Sequence, residues 1–68
     1  MKSISGKKFC KLLEYKGWVL KRINGSHHIY GKQGSNIILV VPVHKNDDLK
    51  PGLLKGLMKL SRIEKNEL

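Results

Sequence analysis

Phe9, Leu12 and Leu13 recur at the i, i+3, i+4 spacing that gathers apolar side chains on one side of a helix. Ser5 suits the cap ahead of that stripe and Gly17 supplies a stop, so the pattern predicts a first helix running to about Lys16. Trp18 to Asn24 then reads as a strand with imperfect alternation. Asn24-Gly25-Ser26 is a turn signal, and Asn-Gly between strand-like residues favours a tight hairpin. His27 to Gly31 is the second strand, and Gly31-Lys32-Gln33-Gly34-Ser35 the next turn. Asn36 to Val41 is the third strand, its apolar run Ile37 to Val41 the mark of a well-buried position, and Pro42 ends it. Val43 to Leu49 is a polar loop. Pro51 opens a second helix, because proline suits the first helical position and biases Lys50 away from helix. Leu53, Leu54, Leu57, Met58 and Leu60 supply its apolar face, and the polar tail from Glu64 is expected to fray.

The order is α-β-β-β-α, an α+β arrangement in one domain spanning 1–68. Short hairpins keep consecutive strands adjacent, so a three-stranded antiparallel sheet carries both helices on one face and leaves the other bare. That layout resembles the double-stranded-RNA-binding-domain (dsRBD) fold.

At 68 residues the chain buries only a modest core, and its one cysteine, Cys10, cannot form an internal disulfide. A partner that adds buried surface would be a natural stabiliser. No apolar run approaches a membrane span and the N-terminus lacks the apolar stretch of a signal peptide, so the expected compartment is the cytoplasm, with no membrane association. Charge changes the picture most. Fourteen Lys and Arg oppose five Asp and Glu, a net +9. Nine of those cations and one acid, Glu14, lie before Asp47, so basic charge is concentrated in the first two-thirds of the chain. Such an imbalance on a small domain is the footprint of a polyanion binder, with nucleic acid ahead of membrane. Lys7, Lys8 and Lys11 repel one another and oppose the helix dipole, a cost more easily understood if phosphates approach that side.

Three histidines, His27, His28 and His44, are the groups whose ordinary titration lies near neutrality. Strand alternation sends His27 and His28 to opposite faces, and only one can easily meet a bare basic surface; alternation alone does not say which. RNA cleavage needs a base for the 2′-hydroxyl proton, an acid for the leaving 5′-oxygen and cations on the phosphate. Imidazole serves both proton transfers, and Lys21, Arg22 or Lys32 could neutralise the phosphate. Metal-dependent cleavage would call for clustered carboxylates, whereas this chain offers Asp47-Asp48 and scattered glutamates; His44 with that pair reads as a solvated loop, and no metal or cofactor is expected. Cys10, beside the apolar stripe, reads as a small core residue. Trp18 and Tyr30 are candidate base stackers, with Trp18 better suited to the core.

In order and spacing, Ser5-Gly6-Lys7, Leu12-Leu13-Glu14, Gly17-Trp18, Gly25-Ser26-His27-His28-Ile29-Tyr30, Val41-Pro42-Val43-His44 and Leu49-Lys50-Pro51-Gly52-Leu53-Leu54 resemble the HicA toxin family. The resemblance implies a dsRBD-like fold, an mRNA interferase that is the toxin of a prokaryotic toxin–antitoxin pair, and a cognate HicB antitoxin that binds and blocks it. It also implies that the histidine after Gly-Ser, His27, is catalytic and faces the RNA, presented by a turn containing Gly25 and Ser26. His28 and His44 are left as accessories. The second helix departs from the family in lacking a glycine stop after Leu60-Ser61-Arg62. Two functions follow: a metal-independent endoribonuclease using His27, with Lys7, Lys8, Lys11, Lys21, Arg22, Ser26 and Lys32 toward the phosphates, or a non-catalytic RNA-binding module of the same fold.

Overall fold

A computed structural model describes residues 3–68. Its elements are α1 (Gly6–Tyr15), β1 (Val19–Asn24), β2 (His27–Gly31), β3 (Leu39–Pro42), α2 (Pro51–Ser61) and a closing 3₁₀ turn, Lys65–Glu67. The strands form one antiparallel sheet in the order β1-β2-β3. This is the expected α-β-β-β-α fold, with α1 packed on β1 and β3 and α2 on β3. No helix among the described residues is long and apolar enough to cross a membrane.

Helix α1 begins as its sequence directs. The Ser5 hydroxyl accepts from the Lys8 N–H at 3.2 Å, which satisfies one of the first-turn amides that have no partner within the helix. Gly17, at φ +97°, turns the chain, and the Trp18 N–H donates back to the Leu13 carbonyl at 2.9 Å. Trp18 therefore belongs to the helix stop and the core rather than to β1, which starts one residue later. Gly6 is required by contact: a methyl group there would overlap the Pro42 carbonyl oxygen. The start of α1 is further tied to the loop before α2, since the Leu49 N–H donates to the Ile4 carbonyl at 2.8 Å.

Alternation along the strands builds the core. Tyr30, Leu39 and Val41 turn to the helices and meet Phe9, Cys10, Leu13, Leu54 and Leu57. Tyr30 is 1% exposed, and its hydroxyl donates to Glu14 Oε2 at 2.6 Å, which ties β2 to α1. Burial, then the Glu14 bond, then the adjacent Cys10 thiol hold Tyr30 ionisation above its ordinary range. Burial likewise pushes the Cys10 thiol up, consistent with a core role.

Four expectations are corrected. The third strand starts later than Asn36, because Leu39 pairs with Tyr30 at the end of the β2–β3 ladder and, among the described residues, nothing pairs with Asn36 to Ile38. It is also an edge strand buried on one side: Leu39 and Val41 are inside, whereas Val40, Ile37 and Ile38 are exposed. In α2 the inward residues are Leu54, Leu57, Met58 and Ser61; Leu53 and Leu60 face outward. Finally, the tail is docked rather than frayed. Arg62 adopts the left-handed conformation (φ 64°) at the stop where glycine is lacking. Glu64 and Glu67 then form a reciprocal capping box, Glu67 pairs with Lys16, and Leu68 packs against the core.

Candidate functional site

The β1–β2 hairpin turns on Gly25 and Ser26, between the paired residues Asn24 and His27. Gly25 sits at φ +63° and Ser26 does not have positive φ, which places glycine first in the two-residue loop rather than the expected Asn-Gly. This register decides the histidine question. His28 pairs with Val41 and Ile23, its neighbour Tyr30 two residues on is buried, and it lies half-buried on the helix side. His27 pairs with Pro42 and Asn24 and is exposed on the bare face.

Around His27 the bare face carries a specific set. Asn24 lies directly opposite on β1, and Arg22, opposite Ile29, stands two residues further along, about 7 Å away in strand rise. Between Leu20 and Arg22 the register shifts by a bulge. The Lys21 stem crosses Gly31, coming within 3.0 Å of where a β-carbon would be, and Gly31 alternates onto the same face as His27. Adjacent Lys21 and Arg22 thus both serve the bare face, which strict alternation would forbid. Lys21 nevertheless lies at the far end of β2 from His27. Lys32 is further still, with its Nζ 5.6 Å from the centre of the buried Trp18 ring. Both are thus remote from His27, whereas Arg22 lies on its side of the sheet.

A second histidine comes to the same corner through the backbone. The Val43 N–H donates to the Ser26 carbonyl at 2.7 Å, so His27 and His44 each follow a residue joined by that bond. His44 is exposed and, with Asp47, Asp48, Lys50 and Leu53, lines a shallow depression of about 200 Å³. Among the described residues no three His, Cys, Asp or Glu side chains converge as metal ligands. Lys7, Lys8 and Lys11 are exposed on α1. Trp18 and Tyr30, 5% and 1% exposed, are unavailable for base stacking. Asn24 was not singled out by sequence reasoning. The length of the hairpin loop was the signal for it, since a two-residue turn on Gly25-Ser26 pairs Asn24 with His27.

Between the cations runs an aliphatic row on the bare face: Ile29 half-buried, Val40 and Ile38 43% and 56% exposed, and Val19 53%. An imidazole, an amide and a guanidinium thus stand beside solvent-facing aliphatics on the uncovered side of a helix-backed sheet, in a small basic domain. Residues 6–63 match the family model described as HicA toxin of bacterial toxin-antitoxin. The chain belongs to the HicA toxin family and is the toxin of a toxin–antitoxin system, a membership that implies a HicB antitoxin as its partner. No curated protein matches the chain.

Proposed function

We propose that this toxin is a metal-independent endoribonuclease acting on mRNA, with His27 exchanging protons at the scissile linkage. The observation that carries the reading is the exposure of His27 on the bare face, with Arg22 on its side of the sheet and Asn24 directly opposite. His27 takes the proton of a ribose 2′-hydroxyl, and the resulting oxygen attacks the adjacent phosphorus. The bond to the 5′-oxygen breaks as that oxygen gains a proton, leaving a 2′,3′-cyclic phosphate and a 5′-hydroxyl end. Arg22 offsets the charge that builds on the phosphoryl oxygens. His44 is the better-placed second proton carrier, because His28 faces the helices. The aliphatic row suits protein contact rather than a polyanion, which supports antitoxin docking over the same face and direct occlusion of His27.

The test is incubation of long single-stranded RNA with wild type and His27→Ala in excess EDTA. Cleavage by wild type alone, with cyclic phosphate ends, is the expected result. RNA bound but left whole by both proteins would favour a non-catalytic RNA-binding module.

A further inference from the structure

Phe9, Trp18 and Tyr30 are buried, whereas Tyr15, the fourth and last Phe, Trp or Tyr of the chain, is 85% exposed. It closes α1, four residues beyond Lys11 and seven beyond Lys8, so the three side chains share one flank of the helix. The flank extends about 10 Å from Lys8 to Tyr15. These residues and Ile4, Leu12 and Leu68 border a shallow groove of about 370 Å³. Glu67 also borders it, but its carboxylate is engaged by Lys16. Glu14, the one acid within α1, accepts the Tyr30 hydroxyl instead. Lys8 and Lys11 are therefore the side-chain charges of the groove left without a partner acid among the described residues.

The helix that carries the groove begins near the His27 corner. Gly6 presses on the backbone of Pro42, and Pro42 is the residue opposite His27 in the sheet. Helix α1 starts beside that corner and leads away toward Trp18 and Val19. A chain of phosphates passing Lys7 would meet Lys8, then Lys11, then the Tyr15 ring, about 14 Å from the start of the helix.

We propose that the Lys8–Lys11–Tyr15 flank of α1 is a second RNA contact, where Tyr15 stacks on a base of the single strand whose reacting phosphate lies at His27. The proposal rests on the ribonuclease reading above. Cations that follow the backbone beside an exposed aromatic form the sequence-tolerant arrangement for single strands, because every base has a π-face. A protein partner finds an aliphatic surface on the bare sheet; this flank sets two lysines and an exposed ring beside the apolar Ile4, Leu12 and Leu68.

The experiment compares Tyr15→Ala and Tyr15→Phe. Affinity for a single-stranded RNA of about twelve nucleotides is measured in the His27→Ala background, and cleavage of the same RNA with His27 intact. Tyr15 is exposed, so neither change disturbs the core. Tyr15→Ala is expected to weaken binding about 5- to 100-fold and to raise KM with little change in kcat, while Tyr15→Phe stays within about twofold of its parent. Equal affinity of Tyr15→Ala and its parent, with cleavage by wild type intact, overturns the Tyr15 contact alone. So does loss of antitoxin binding with RNA affinity unchanged, which would make the groove a protein-docking surface. If the protein with His27 intact leaves the RNA whole, the ribonuclease reading falls and the proposal with it.

Discussion

The two sides of the sheet are built from alternate residues of the same strands, yet they do different work. Toward the helices, Tyr30, Leu39 and Val41 are at most 1% exposed and hold the fold together. Away from them, His27, Ile29 and Val40 face solvent, with Arg22 and Lys21 brought alongside. Neighbours one residue apart therefore differ in what their loss should change: one kind of substitution affects stability, the other activity or recognition. In a chain too small to separate a structural layer from a functional one, the parity of a strand position is the separation.

The largest expected effect breaks the histidine pair apart. His27→Ala should reduce cleavage by about 10²- to 10⁴-fold and leave the melting temperature near that of wild type. His28→Ala should retain cleavage and cost about 1 kcal/mol, because it removes packing on the helix side. Comparable loss of cleavage in both would show that parity does not divide their roles. The next test uses consecutive residues of β3. Leu39→Ala should cost about 2–5 kcal/mol in denaturant unfolding, through lost burial and the cavity left behind. Val40→Ala, on the exposed side of the same strand, should stay within about 0.5 kcal/mol but weaken antitoxin binding.

The smallest effect concerns the tie between β2 and α1. Tyr30→Phe should cost about 1 kcal/mol at neutral pH by removing the bond to Glu14. The folded protein holds the Tyr30 hydroxyl protonated above its ordinary range. This contribution is fully present below the unfolded tyrosine pKa of about 10 and declines as pH rises past it. Wild type should therefore lose stability above about pH 10 more steeply than Tyr30→Phe; parallel alkaline profiles would show that the hydroxyl is not held in this way.

Element order was legible because periodicity and turn residues report local geometry, and the Phe9/Leu13 stripe and the Gly17 stop behaved accordingly. The extent of β3 was not, because an unbroken aliphatic run has no parity to read and its ends depend on the length of β2. The docked tail depends on Lys16 meeting Glu67 across the whole chain, which no window of sequence contains. At the candidate site, alternation separated His27 from His28 but could not orient them; the hairpin register did. The bulge that lets Lys21 and Arg22 share a face has no local sequence mark either.

In a three-stranded sheet only the middle strand is hydrogen-bonded along both edges, and here that strand is β2. Its amide protons should be among the slowest in the molecule to exchange with solvent, released only when the whole domain opens. His27 opens the strand that lasts longest as the domain comes apart. The backbone that carries the imidazole is thus held by the global folding equilibrium rather than by a mobile loop, and a molecule folded well enough to escape proteolysis already presents His27 on the bare face.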